Sequence, residues 1–371
     1  MNRDSLTYWT ALSRIEGVGA ESFKALLSAF GTPERVFGAS PGELRAVPGI
    51  GPKTAARIRG FDGWRECQAQ IGRAQDAGIT LLRSDEPSYP PELRSIFDSP
   101  PLLYIKGALP ADEVRIAVVG SRRASAYGRY ATQKLCRELA LKGVVVVSGL
   151  ARGIDTAAHE GALSGHGRTI AVLGCGIDVV YPPENRKLYP AVAGSGALVS
   201  EYPPGTDPHA KHFPARNRII SGLSLGVVVV EAGEKSGSLI TVRYALDQGR
   251  EVFAVPGAID TAGSKGTHRL IKEGAKLVES VEDILEEIRP RLGNLRGPAS
   301  PPEADKPPAP PEEPGDGERR LLHLLAAGPG ELDWIVAETG WNAQRVLELL
   351  TGLEIAGRVV QLPGKRFAVK E

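Results

Sequence analysis

The sequence predicts an α/β protein: an extended Rossmann-like, doubly wound, mostly parallel sheet, with an all-α domain before it and a winged-helix domain after it. Three observations carry this expectation. Short β-branched runs recur at 116–119, 144–148, 169–173, 197–200, 227–231 and 252–255, separated by helix-period segments, as buried parallel strands joined by helices require. Two Gly-x-Gly turns, each followed by an apolar-periodic helix, fall within residues 1–80. Beyond a Pro-rich stretch, three helical segments and two β runs close the chain.

The first block holds two similar units, Ile15-Glu16-Gly17-Val18-Gly19-Ala20 and Val47-Pro48-Gly49-Ile50-Gly51-Pro52-Lys53-Thr54. Their glycines allow a tight turn whose backbone N–H groups, at the positive end of the next helix, can face a phosphate. The arrangement resembles a tandem helix-hairpin-helix (SAM-like) module, and the second copy, with Gly49, Gly51 and Lys53, is the closer match. The alternative is that both hairpins only pack as a small helical domain.

Residues 81–107 read as a short connecting region, punctuated by Tyr89-Pro90-Pro91, Pro100-Pro101 and Lys106-Gly107. The domain that this region opens, residues 81–288, carries the sheet. Glycine-rich and polar motifs follow its strands: Gly120-Ser121-Arg122, then Ser148-Gly149-Leu150-Ala151-Arg152-Gly153-Ile154-Asp155, then Gly174-Cys175-Gly176-Ile177-Asp178. Ligands of doubly wound sheets sit at these strand ends. Residues 289–317, dense in Pro, Gly, Glu and Ala, bury too little to fold and read as an extended, disordered tether. Residues 318–371 read as three helices and a hairpin around Pro363-Gly364, hence a winged helix. Its recognition helix, with Gln344, Arg345 and Glu348, is poor in base-reading side chains, so protein docking competes with DNA contact there.

Composition excludes several classes. At 42% hydrophobic and 24% charged, the 371 residues suit a globular protein of more than one domain. No apolar run approaches the ~20 residues needed to span a bilayer, and the N-terminus lacks a secretion signal, so a cytoplasmic protein is expected. Cys67, Cys136 and Cys175 match neither a disulfide framework nor a metal-ligand signature, which leaves reduced, buried thiols. A net charge of +1 and a pI near 7.7 give no basic excess. A nucleic-acid site must therefore concentrate its cations locally.

Two segments do so. Gly120-Ser121-Arg122-Arg123 stands where a dinucleotide fingerprint would, but Gly-x-Gly-x-x-Gly is absent; a hydroxyl, two guanidinium groups and helix-starting amides suit one phosphate at a helix N-terminus. Lys211-His212-Phe213-Pro214-Ala215-Arg216-Asn217-Arg218 sets an aromatic beside cations, so base stacking and phosphate neutralisation can operate together. The competing reading makes Phe213 a core residue and the arginines solvated. Lys235-Ser236-Gly237-Ser238 opens a helix after a strand and forms another possible anion cradle, without the spacing of a P-loop. Catalysis finds less support. His209 and His212 lack further ligands for a metal, Asp155 suits a capping or positioning role beside Gly153 better than acid–base pairing with His159, and no nucleophile elbow is present.

These motifs, with Tyr127-Gly128, Ala158-His159, Ile219-Ile220-Ser221-Gly222-Leu223-Ser224 and Ser236-Gly237-Ser238-Leu239-Ile240-Thr241, occur in order across residues 85–285. Together they closely resemble the DNA-processing protein A (DprA/Smf) family of natural transformation. The resemblance implies a non-enzymatic protein without cofactor or metal that binds incoming single-stranded DNA regardless of sequence, protects it, and loads the RecA recombinase. It also implies a homodimer joined through the Rossmann-like domain. Carried over position by position, the phosphate pocket uses Ser121, Arg122 and Gly149, with Arg123 and Arg152 beside them. The strand then passes Phe213, Arg216, Asn217 and Arg218 toward Lys235 and Ser238. Lys265 is a further candidate, although His268 stands where the family often has Asn. Two other readings compete: a nucleotide phosphoribohydrolase, whose Pro-Gly-Gly-x-Gly-Thr motif is missing at Glu231-Ala232-Gly233, and a dimeric adaptor that recruits a protein.

Overall fold

The computed structural model describes residues 5–289, 316–326, 328–355, 358–362 and 366–369. They belong to two compact units, Met1–Pro298 and Ala299–Glu371.

The first unit begins with helices α1 (Ser5–Ser13), α2 (Ala20–Phe30), α3 (Pro33–Gly38), α4 (Pro41–Ala46), α5 (Pro52–Arg59) and α6 (Trp64–Asp76). Gly17 and Gly49 occupy the same place in the two hairpins and adopt φ of +96° and +83°, a left-handed conformation that disfavours a side chain. The hairpins pack reciprocally. A Cβ on Gly17 would lie 2.7 Å from Thr54 Oγ1, and one on Gly49 would lie 3.5 Å from Ser22 Oγ, so each turn rests on the helix that follows the other. Trp9, Phe23, Leu26, Leu44 and Ile58 form the core between them.

The sheet follows: β1 (Thr80–Arg83), α7 (Pro91–Ser95), β2 (Leu102–Gly107), β3 (Arg115–Val119), α8 (Ala126–Leu141), β4 (Val145–Ser148), α9 (Ile154–Ser164), β5 (Thr169–Leu173) and α10 (Leu188–Ser195). It continues through β6 (Ala197–Ser200), α11 (His212–Gly222), β7 (Gly226–Val229), α12 (Ser238–Asp247), β8 (Glu251–Ala254), α13 (Lys265–Lys272), β9 (Lys276–Leu277) and α14 (Val281–Ile288). All six β-branched runs are strands. The order is β1-β2-β6-β5-β4-β3-β7-β8-β9, parallel from β6 to β9, with β1 and β2 antiparallel at one edge. Residues 81–107 are therefore more than a connector, because Leu103 and Ile105 bury one face of β2 in the same core as Ala117 and Val119. Alternation within strands splits the interior: Ala117, Val119 and Val147 face α11 and α12, whereas Ile116, Val118 and Val146 face α8, α9 and α14. The helices and the sheet form one body, since Ile71 and Ala74 of α6 share a core with Leu102, Tyr104 and Leu198. Cys67, Cys136 and Cys175 are free and buried.

Most of the stretch 289–317 lies outside the described residues. The second unit starts at α15 (Asp316–Leu325), followed by β10 (Gly330–Glu331), α16 (Leu332–Thr339), α17 (Ala343–Ile355), β11 (Val359–Leu362) and β12 (Arg366–Val369). Gly340 ends α16 at φ +71°, a left-handed cap, and the three strands pair in the order β10-β12-β11. This is the expected winged helix. The hairpin turn expected at Pro363-Gly364 falls outside the described residues.

Among the described residues, no helix is long and apolar enough to cross a membrane.

Candidate nucleic-acid interface

Strand order reverses between β3 and β7, and a crevice opens at their carboxyl ends, where such sheets hold ligands. A cavity of about 460 Å³ lies there, lined by Ser121, Arg122 and Arg123 after β3, Ala151 and Asp155 after β4, Phe213, Arg216 and Asn217 from α11, and Ser236 and Ser238 before and at the start of α12. A second cavity of about 270 Å³ adjoins it, sharing Arg122, Arg123, Ala151 and Phe213 and adding Gly149, Arg152, Tyr181 and Pro182.

Backbone contacts knit the three loops. Ser121 N–H donates to the Glu231 carbonyl at 2.7 Å, and Ile154 N–H donates to the Ser121 carbonyl at 3.1 Å. Gly153, at φ +81°, leaves no space for a side chain against the Ser121-Arg122 backbone. The Ser121 hydroxyl accepts the Arg123 N–H at 3.0 Å, and its own O–H proton can still donate.

The N-terminus of α8 differs from the expectation. Glu231 Oε2 accepts both the N–H and the hydroxyl of Ser125, the N-cap, at 2.9 and 3.1 Å. A carboxylate already occupies that positive helix end.

Arg122 and Phe213 form the centre of the groove. The exposed Arg122 guanidinium lies 5.6 Å from the Phe213 ring centroid, within cation–π range. Phe213 is half-buried and tilted against Tyr181, centroids 5.3 Å apart. Its edge fits because position 174 is glycine, where a Cβ would come within 2.9 Å of Phe213 Cδ1. Asn217 is half-buried, accepting from Arg216 Nε at 3.3 Å.

Three assignments change. Arg216 is 3% exposed: its Nη1 donates to the Gly149 carbonyl at 2.9 Å beside Asp155, so it underlies the groove rather than tracking a strand. Gly149 spends both backbone groups, since its N–H donates to Asp155 Oδ2 at 3.1 Å; its missing side chain makes room for the Arg216 and Asp155 head groups. It has no N–H left for a phosphate. Arg218 is 8% exposed, paired to Glu201 Oε2 at 2.7 Å and Asp98 Oδ2 at 3.0 Å, a buried structural cluster.

The remaining candidates are peripheral. Arg152 lies on the rim of the smaller cavity, its Nε and Nη2 donating to Glu184. The Glu184 carboxyl is held below its ordinary range by its own backbone N–H and by Arg152. Lys235 is exposed beside the Ser236 and Ser238 hydroxyls, which bond each other at 2.8 Å. Lys265 is exposed at the start of α13, beyond either cavity lining, while His268 Nε2 meets the Gly257 carbonyl at 3.0 Å. In the helical domain Gly49 and Lys53 are exposed, and Gly51 is the N-cap of α5. In the winged helix, the exposed Arg345 lies over the Trp341 ring, 5.0 Å from its centroid.

Asp155 positions the turn, accepting from Gly149 and Ala151, and it does not bond His159. Thr169 donates to the Val146 carbonyl, so its oxygen accepts the His159 Nδ1–H at 2.8 Å. Burial pushes the His159 pKa down to about 3. Sequence reasoning passed over Tyr181 and Glu184, which only Tyr-Pro-Pro and a nearby charge signalled.

Comparison with known proteins agrees with this architecture. The family model for DNA recombination-mediator protein A matches residues 80–289, that for the DprA winged helix domain residues 305–365, and that for the SAM-like helix-hairpin-helix tandem residues 10–59. The chain is 37% identical to the protein Smf of Synechocystis sp., over 99% of each chain. It resembles the crystal structure of DNA processing protein A from Streptococcus pneumoniae (TM-score 0.67, 38% identity, 77% of this chain and 99% of that one). A second similar structure is DNA processing protein A from Helicobacter pylori, solved for its single-stranded DNA binding mode (TM-score 0.52, 31% identity, 57% of this chain and 96% of that one).

Proposed function

Since this chain belongs to the DNA recombination-mediator protein A (DprA/Smf) family, we propose that it binds single-stranded DNA, without sequence preference, in the crevice between β3 and β7. The observation that carries the proposal is Arg122 seated 5.6 Å from Phe213 where the two cavities meet. A cation for a phosphate and an aromatic face for a base stand together, as single-strand binding needs. Ser121, Arg123, Asn217, Lys235 and Ser238 are the accessory contacts. The Helicobacter pylori relative, described for its single-stranded DNA binding, supports the same choice of ligand. Competition between single-stranded and duplex oligonucleotides for the full-length protein tests it.

Family membership supports a wider reading. The bound strand is incoming DNA in natural transformation, protected in the cytoplasm and passed to the RecA recombinase by a homodimer joined through the sheet domain. The protein acts without catalysis, metal or cofactor. The exposed turn with Gly49, Gly51 and Lys53 offers a second backbone contact, and Lys265 a peripheral one. Sedimentation with and without oligonucleotide tests the dimer, and strand-exchange assays with RecA test the loading.

A further inference from the structure

Three arginines line the smaller cavity, and they differ in one respect. Among the described residues Arg122 and Arg123 make no ion pair, whereas Arg152 gives both Nε and Nη2 to Glu184 Oε1, at 3.0 and 2.7 Å. That pair is open to water, its side chains 57% and 59% exposed. Glu184 belongs to the 3-10 turn Pro183–Lys187, directly after Tyr181 and Pro182, which line the same cavity.

We propose that Glu184 stands in for a phosphate: it occupies Arg152 in the free protein and yields it to the DNA backbone on binding. Glu184 thereby sets how tightly, and with what salt dependence, a strand is held. The proposal rests on the reading of the crevice as a single-stranded DNA site.

The chemistry of exchange favours this assignment. A guanidinium fork receives a carboxylate or a phosphate in the same geometry, so one anion can replace the other without moving Arg152. An exposed ion pair adds little net stability and parts readily. The buried Arg218 pairs with Glu201 and Asp98 could not exchange in this way, because parting them would leave charges uncompensated in the interior. After exchange the freed Glu184 carboxylate lies beside the bound phosphate and repels it. Binding then carries a penalty that a neutral side chain at 184 removes.

The test measures binding of a fluorescent oligothymidylate to the full-length protein across a salt series, for wild type, Glu184→Gln, Arg152→Ala and the double variant. Glu184→Gln should bind roughly two- to five-fold tighter. Its log–log salt slope should steepen by up to about 0.7, since no freed carboxylate then offsets the charge that Arg152 brings to its phosphate. The gain should be clearly smaller when Arg152 is already alanine, because no phosphate is then drawn next to position 184. Unchanged affinity for Glu184→Gln overturns the proposal, and so does an equal gain in the Arg152→Ala background, which would mark general loss of negative charge. If wild type binds and Glu184→Gln does not differ, only this proposal fails. If wild type does not bind, the reading of the crevice fails with it.

Discussion

Arg216 Nη1 donates to the Gly149 carbonyl at 2.9 Å while Asp155 Oδ2 accepts the N–H of the same glycine at 3.1 Å. The two charged side chains clamp one residue from both sides, beneath the groove that Arg122 and Phe213 form above. Burial raises the Asp155 carboxyl, and the Arg216 charge and the backbone N–H groups oppose that rise.

This clamp separates stability from binding. Arg216→Ala leaves the buried Gly149 carbonyl without its donor and takes away the charge that opposes the desolvation of Asp155, and should cost about 1–3 kcal/mol in chemical denaturation. Arg122→Ala, at an exposed position, should change stability by less than about 0.5 kcal/mol. If Arg216→Ala were as stable as wild type, the clamp would not be structural.

Binding should show the reverse pattern for Arg122. Its loss should weaken all oligonucleotide sequences about equally and lower the salt slope by about 0.7, because a phosphate contact carries no sequence information. A sequence-dependent loss would contradict that role.

Phe213→Ala should weaken binding by about 1–3 kcal/mol for one stacked base, with the salt slope unchanged. A slope that fell with affinity would instead mean that the ring acts only by holding Arg122 in place.

His159 supplies a pH prediction. Unfolded, it takes a proton below about 6.5; folded, it resists protonation down to about 3. The unfolded state therefore binds more protons in that window, and stability falls as pH falls from about 6.5. Below pH 6 this contribution approaches about 1.4 kcal/mol per pH unit, and His159→Gln should remove it from the denaturation profile between pH 7 and 5.

Much of the fold was legible because parallel strands write themselves as uniform apolar runs, and all six such runs are strands. The edge strands β1 and β2 escaped notice because prolines flank them and the antiparallel pair reads locally as loop. At the site, residue type was informative and burial was not. Arg122, Arg216 and Arg218 look alike in sequence, yet only the first is exposed, because the Gly149 carbonyl, Glu201 and Asp98 come from distant segments to receive the other two. The phosphate place expected at the start of α8 was likewise hidden, since Glu231, which fills it, arrives from the far side of the switch point.

The central claim is that the crevice between β3 and β7 holds single-stranded DNA by phosphate neutralisation and stacking. Titrating the full-length protein with a single-stranded oligonucleotide and with its duplex, at two salt concentrations, tests it most directly. The account predicts tighter binding of the single strand at both, with affinity falling at a log–log slope of about −0.7 for each phosphate neutralised. Equal affinity for the duplex, or binding indifferent to salt, would contradict it.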